Sequence, residues 1–159
     1  MKFSTREEYG IRCLIRIGKS NSPNGLTIPE ISEMEGLSTS NVGKILRLLR
    51  LGKFVESARG QTGGYKLARA PEKIKISNVM NVLGGRLFEE GFCNSHSGSL
   101  NICTNTVDCS IRSLWSTIQN MLDGVLSQVT LKDLLGNEKQ VINLVSGYTN
   151  KITSNLINN

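Results

Sequence analysis

The sequence predicts a mainly α-helical fold with a small β-hairpin wing, in which a winged helix-turn-helix precedes a long helix. Three observations predict this fold. Two helix-forming stretches joined by a tight turn fill residues 27–51, and a glycine-rich hairpin pattern follows over residues 54–67. Apolar residues then recur every three or four positions over residues 110–128, as in a helix that buries one face.

The first helix is predicted over residues 5–19, where Ser4 and Glu7 form a capping box. Its inner face consists of residues at helical spacing: Tyr9, Cys13, Leu14 and Ile17. Cys13 is therefore interpreted as a small buried apolar side chain rather than a ligand.

The second helix begins after Thr27, whose hydroxyl forms a capping box with Glu30 around an early proline. Gly36 and Leu37 form the turn that ends it. The predicted buried face is Ile28, Ile31 and Met34.

The third helix is capped by Ser38 and runs to about Leu51. Its inward residues are Val42, Ile45, Leu46 and Leu49. Its outward residues are small near the start and cationic further along: Thr39, Ser40, Gly43, Lys44, Arg47 and Arg50. A recognition helix directs its N-terminal end at base edges and its basic side chains at phosphate, so the pattern indicates DNA binding, with Ser38 as a further candidate contact.

The hairpin consists of strands over residues 54–57 and 65–67 around a loop with three glycines. Arg59 and Gln61 are predicted at its tip, as further DNA contacts. A basic helix alone is often only a solvated surface. The succession of helix, basic helix and glycine-rich hairpin favours DNA binding over that alternative.

Beyond the hairpin, Ser77 is predicted to cap a short helix that ends at about Leu83 before Gly84. Residues 88–109 show no helical or strand period. Such a polar stretch cannot order itself by burying apolar surface. Thr130 and Asp133 then cap a helix that ends at Gly136, and residues 137–159 carry the pattern of another amphipathic helix.

The long helix over residues 110–128 spans on the order of 30 Å. This is more than the small winged domain (residues 1–85), called the head below, can cover. The apolar stripe of the helix comprises Ile111, Leu114, Ile118, Met121 and Val125. Such a stripe is best buried against a second copy, which predicts a homodimer. Two-fold symmetry would place the recognition helices about 34 Å apart on palindromic double-stranded DNA.

Charge and length set further bounds. Residues 1–75 hold 14 Lys/Arg against 7 Asp/Glu, whereas residues 76–159 hold 5 against 6, so the excess positive charge lies in the DNA-reading half. There is no apolar run of membrane-spanning length and no secretory leader pattern, which predicts a cytoplasmic protein without membrane contact.

Three cysteines, Cys93, Cys103 and Cys109, lie within 17 residues at spacings of nine and five intervening residues. Thiolates at one centre select an iron–sulfur cluster, zinc or copper(I), and the spacing alone does not choose among them. His96 is the only histidine of the chain and a candidate for a fourth ligand. Free surface thiols and a redox disulfide remain alternatives.

The chain resembles the IscR/NsrR-type bacterial transcription regulators over residues 1–135. The matching segments are Met-Lys-Phe-Ser-Thr-Arg at 1–6, Gly-Leu-Ser at 36–38, Arg-Gly at 59–60, Gly-Gly-Tyr-Lys-Leu-Ala-Arg at 63–69, the cysteine group, and Thr-Leu-Lys-Asp-Leu at 130–134. The family commonly has Leu-Glu-Gln where this chain has Val-Gly-Lys at 42–44. Since glycine at 43 offers no base-facing side chain, a different operator sequence is expected.

The resemblance implies an iron–sulfur cluster held by Cys93, Cys103 and Cys109. The family's fourth ligand is either a histidine just after the third cysteine or an acidic residue at the start of the first helix, often from the other subunit. Arg112 stands at the histidine position, so Glu8 is the first candidate and His96 the second. The long gap between Cys93 and Cys103 leaves 2Fe-2S and 4Fe-4S clusters both open.

The resulting expectation is a non-enzymatic, dimeric regulator whose operator affinity depends on an iron–sulfur cluster, sensing cluster supply, iron or redox stress. A nitric-oxide-sensing repressor and a cluster-free thiol sensor are the alternatives. A small iron–sulfur redox protein would leave the basic winged helix unexplained. The predicted units are a winged domain (1–85), a cysteine segment (86–109), a dimerisation region (110–136) and a C-terminal extension (137–159).

Overall fold

The computed structural model describes residues 4–58, 63–89, 91–97, 102–103 and 105–157, with side chains as far as residue 151. Within these residues the chain forms a two-stranded antiparallel sheet and eight α-helices, which confirms the predicted winged fold. The elements are α1 Thr5–Lys19, α2 Ile28–Glu35, α3 Thr39–Leu51, β1 Val55–Ser57, β2 Tyr65–Leu67, α4 Ile76–Leu83, α5 Phe92–Ser95, α6 Ser110–Leu126, α7 Leu131–Leu134 and α8 Glu138–Ile157, with a 3₁₀ turn at Pro71–Lys73 before α4.

The core of the head lies between α1, α2, α3 and α4. Its fully enclosed side chains include those predicted from helical spacing on α1 and α3: Cys13, Leu14, Val42, Leu46 and Leu49. Glu35 at the end of α2 accepts hydrogen bonds from Arg12 at 2.9 Å and Arg16 at 2.6 Å, both on α1. This pairing fixes α2 against α1 and uses two of the cations in the basic half of the chain.

The predicted burial of Met34 is wrong, because its side chain is 51% exposed. Gly36 adopts the left-handed conformation (φ 64°, ψ 34°), which reverses the chain directly after α2. Leu37 then packs against the core as a partly buried residue. The turn is held by the Leu37 N–H, which donates to the Ser32 carbonyl at 3.0 Å.

The wing is anchored to the loop between α1 and α2. Leu26 and Tyr65 exchange two backbone hydrogen bonds, of 3.0 and 2.7 Å, beside the β1–β2 hairpin. A Cβ on Gly64 would lie 2.8 Å from the carbonyl carbon of Leu26, so only glycine permits this approach. The antiparallel pairing of β1 with β2 confirms the two predicted strands. Arg59 and Gln61, predicted between them, lie outside the described residues.

Helix α4 begins at Ile76, so the predicted capping role of Ser77 is wrong. The start is set by a long-range contact, because the Ile76 N–H donates to the Val129 carbonyl at 2.9 Å. Thr130, with its predicted capping box to Asp133, pairs with Lys75 in an antiparallel bridge. The C-terminal end of α6 is therefore attached to the head.

The prediction that residues 88–109 contain no helix is also wrong in one place, since α5 occupies Phe92–Ser95. Aromatic rings four residues apart provide its apolar contacts. Phe88 and Phe92 have ring centroids 5.1 Å apart, and His96 stacks on Phe92 at 4.1 Å. Helical spacing of aromatic residues was thus the signal in this polar stretch.

The predicted amphipathic tail forms α8. Its Val145 and Tyr148 pack against a second apolar cluster formed by Ile76, Met80 and Val129. Among the helices described, none combines the length and apolar character needed to span a bilayer.

Candidate nucleic-acid interface and metal centre

The outward face of α3 carries three exposed cations, Lys44, Arg47 and Arg50. Within the described part of the chain no carboxylate pairs with any of them, whereas Arg12 and Arg16 are held by Glu35. Cations without carboxylate partners are available to phosphate. The structure therefore places the predicted phosphate-binding side chains on one accessible surface.

The start of α3 combines a structural cap with exposed hydroxyls. The Ser38 side chain accepts the backbone N–H of Asn41 at 3.3 Å, so this residue fixes where the helix begins. Thr39 and Ser40 are exposed beside it. This end presents small polar groups, as base-edge contact requires.

Sequence reasoning missed Arg6 and Asn41. Together with Thr5, Tyr9 and Lys44 they line a recess of about 150 Å³ between α1 and α3, whose floor is apolar. Arg6 lies in the first turn of α1, ahead of Tyr9, the first residue of the predicted inner face. Its positive charge at the start of the helix was the signal that could have identified it as part of the basic surface. The start of α1 therefore extends the basic surface of α3.

Gly43 lies between the outward face of α3 and α2. A Cβ there would meet only the Ile28 side chain, at 3.8 Å. The position is half-buried, and that a side chain here would face bases stays a prediction. Its first neighbour is α2.

Replacing Gly43 by alanine is expected to raise the free energy of unfolding by about 0.5–1 kcal/mol, because glycine disfavours a helix interior. The 3.8 Å contact to Ile28 is an ordinary van der Waals distance, so no strain opposes the gain. Urea denaturation measures this difference, and a lower midpoint for Gly43→Ala would contradict the assigned environment.

The wing base is rigidly held. The Arg69 guanidinium lies 5.0 Å from the centroid of the Phe54 ring and donates to the Gly52 carbonyl at 3.3 Å. Lys66 pairs with Glu56 across the hairpin at 3.3 Å. These contacts hold the base of the hairpin, whereas the predicted tip residues Arg59 and Gln61 lie outside the described residues.

The three clustered cysteines are free and half-buried. Cys93 lies on α5, and Cys109 caps α6, where its Sγ accepts the backbone N–H of Arg112 at 3.3 Å. The Arg112 side chain donates to the Thr106 carbonyl, which closes the end of the cysteine segment. In the residues that the structure describes, no three His, Cys, Asp or Glu side chains gather closely enough to hold a metal ion.

The two candidate fourth ligands occupy different places. Glu8 lines a recess with Leu126 at the C-terminal end of α6, about 24 Å along the helix axis from the end that Cys109 caps. His96 follows Cys93 by three residues, and its Nδ1–H donates to the Phe92 carbonyl at 2.8 Å, which leaves Nε2 for a ligand. Within one chain, Glu8 is thus remote from Cys109, whereas His96 directly follows α5, the helix that carries Cys93.

Cys13 is separate from this group. Burial raises the pKa of its thiol from 9.0 to about 11, and the nearby Glu35 carboxylate adds to the effect. A neutral, enclosed thiol is a poor ligand and nucleophile. The interpretation of Cys13 as a core residue is confirmed by its complete burial.

In metal-free native protein at pH 8, three of the four thiols are expected to react with a maleimide, and Cys13 only after unfolding in urea. Because the folded pKa of Cys13 is raised, its contribution to stability is full below pH 9 and declines as pH rises through about 11. Mass spectrometry of labelled peptides checks the first expectation. Modification of Cys13 at the rate of Cys93 would contradict it.

A basic recognition helix, a hairpin beside it and an extended helix beyond define a winged-helix DNA-binding protein. The chain belongs to the Rrf2 family, described as iron-dependent transcriptional regulators, whose model matches residues 3–137. It is a transcription regulator and not an enzyme.

Three relatives illustrate the similarity. Protein rrf2 of Nitratidesulfovibrio vulgaris is 30% identical over 135 residues, covering 85% of this chain and 87% of that protein. The structure of T. potens IscR has 27% identity and a TM-score of 0.65, covering 85% of this chain and 86% of its own. The structure of CymR, the global cysteine regulator of B. subtilis, has 26% identity and a TM-score of 0.66, covering 85% and 96%.

Proposed function

We propose that this regulator is a homodimer whose affinity for palindromic DNA is controlled by an iron–sulfur cluster held by Cys93, Cys103 and Cys109. The observation that carries the proposal is the position of the cysteines. Three free, half-buried thiols lie in one segment, and the last of them caps the long helix. A change in the bonding of Cys109 therefore acts directly on α6.

The donor set fits such a cluster chemically, because thiolates are the ligands that iron–sulfur clusters require. When bound, the cluster supplies a cross-link that oxidants and nitric oxide break. Ordering of the segment around its three thiols fixes residues 86–109 against α6. This change reaches DNA affinity through the relative position of the two heads and leaves Lys44 and Arg47 themselves unaltered.

The fourth ligand is proposed to be Glu8 of the partner subunit, with His96 of the same chain as the second candidate. The position of Glu8 beside the far end of α6 supports a contribution across the dimer, since the same carboxylate is remote from Cys109 in its own chain. A cluster with one such ligand would link the two subunits directly.

Exposed apolar side chains on α6 support the homodimer. Ile111 is 60% exposed, Leu114 53% and Met121 50%, and Trp115 lies on the same helix. Exposed apolar residues in a helical row favour association with a second helix. The dimer would orient two basic α3 faces toward one DNA duplex.

Replacing Leu114 by glutamate is expected to shift the protein from dimer to monomer at micromolar concentration, because it places a charge in the proposed interface. Ile142→Glu on α8 is the matched control, since Ile142 is equally exposed, at 56%. Sedimentation equilibrium gives both molecular masses. A dimeric Leu114→Glu variant would argue against α6 as the interface.

The proposal is tested by purifying the protein without oxygen and measuring iron, acid-labile sulfide and the visible absorption spectrum. Brown protein with iron and sulfide in stoichiometric amounts is the expected result. Iron-free, colourless protein would contradict it.

A cluster-free thiol regulator is the second candidate. It is favoured by the absence of a closed three-ligand group among the described side chains and by the likeness to the cysteine regulator CymR. On this alternative, thiol oxidation of iron-free protein would change its DNA affinity, and added dithiothreitol would reverse the change.

A further inference from the structure

Gln119 is a buried polar side chain on α6, only 3% exposed. Its Oε1 accepts two backbone hydrogen bonds from a segment more than 30 residues earlier in the chain. The Leu87 N–H donates at 2.7 Å and the Phe88 N–H at 3.3 Å. These amides belong to the start of the cysteine segment, so a single side chain fixes that start to the long helix.

The same glutamine is itself held in orientation. Its Nε2 donates to Asp123 Oδ1 at 3.0 Å, and Asp123 Oδ2 accepts from Arg86 at 2.9 Å. Arg86 also donates to the Asn81 side chain on α4, at 3.0 Å. The network therefore joins α6, the start of the segment and α4, and it orients the acceptor oxygen toward the two backbone amides.

Contacts continue from this anchor to the first cysteine. The Phe88 ring, next to an anchored amide, contacts Phe92, which adjoins Cys93 on α5. The other end of the segment is Cys109, which caps the same helix ten residues before Gln119, about 15 Å along its axis. The cysteine segment is thus attached to α6 at both ends.

We propose that Gln119 is the positioning residue through which the bonding state of Cys93 is transmitted to α6. The inference rests on the proposed cluster function, because it assigns Gln119 the role of coupling the bonding state of Cys93 to DNA affinity. When Gln119 fixes the start of the segment to α6, a change in the distance between the thiols moves α6. When these hydrogen bonds are lost, the start of the segment moves instead and α6 keeps its position.

The test compares two variants by readouts that stability alone would not change. Gln119→Met keeps the side-chain volume and removes the oxygen that accepts from the Leu87 and Phe88 amides. Gln128→Met is the matched control at an exposed glutamine just after α6. For each variant, iron content, hydrogen exchange at the Leu87 and Phe88 amides, and affinity for a duplex selected from random DNA are measured in the iron-loaded and iron-stripped forms.

For Gln119→Met we expect wild-type iron content, at least tenfold faster exchange at the two amides, and a loss of the affinity difference between loaded and stripped protein. Gln128→Met should keep that difference. A Gln119→Met variant with slow exchange and the full affinity difference would overturn the proposal, as would equal losses in Gln128→Met.

Two further outcomes remain interpretable. If wild-type protein carries no iron, the cluster function fails, but exchange at Leu87 and Phe88 still tests the anchor, and unchanged exchange in Gln119→Met refutes it. If Gln119→Met does not fold, Arg86→Gln takes its place, because it releases the same segment from Asp123 at a partly exposed position. Unchanged coupling in that variant would then overturn the proposal.

Discussion

Replacing Cys103 by alanine is expected to reduce bound iron and sulfide by at least tenfold and to abolish the visible absorption of anaerobically purified protein. The expectation follows from the proposed ligand set, because two cysteines and one weaker oxygen or nitrogen donor cannot replace three thiolates around an iron–sulfur cluster. Cys103 is half-buried in the described segment, so its loss removes a thiol with little loss of packing.

Cys13→Ala is the matched control for this experiment. Cys13 is completely buried in the head and its thiol pKa is raised to about 11, so the variant should lose some stability and keep its iron. Loss of iron in both variants would indicate a general folding effect. Iron retained by Cys103→Ala would contradict the assignment of this cysteine.

Replacing Arg47 by alanine is expected to weaken DNA binding by about tenfold, similarly for all sequences, and to lower the slope of log affinity against log salt by about one. Arg47 is exposed on the outward face of α3, with no carboxylate partner in the described part of the chain. Arg59→Ala at the predicted wing tip should act in the same direction.

Lys139→Ala provides the control, since it removes an exposed cation from α8, away from the basic face of α3. Fluorescence anisotropy at several salt concentrations measures both the affinity and the slope. An Arg47→Ala variant with the affinity and slope of Lys139→Ala would show that α3 does not face the phosphates.

Local signals were enough to predict most helices of the head. The Thr27 and Glu30 side chains form the capping box expected from their spacing, and Ser38 caps α3 as its sequence indicates. Such contacts join residues three positions apart, so the local sequence contains both partners. The outward cations of α3 were predictable for the same reason, because helical spacing alone separates them from the core.

Features set by distant contacts were not predictable in this way. The start of α4 depends on a bond to Val129, and Leu37 packs against the core after a left-handed turn whereas Met34 is exposed. Gln119 gave no signal, since its partners are backbone amides far along the chain. The proposed fourth ligand is of the same kind, because on that proposal Glu8 comes from the partner subunit.

The central claim is that the state of the cysteine segment controls DNA affinity, and one measurement tests it directly. A duplex selected from random DNA with anaerobic, iron-loaded protein is titrated with loaded and with iron-stripped protein at the same salt concentration. The account predicts that the two affinities differ by about 5–150-fold, the usual range of coupling between two sites. Equal affinities of correctly folded loaded and stripped protein would contradict it.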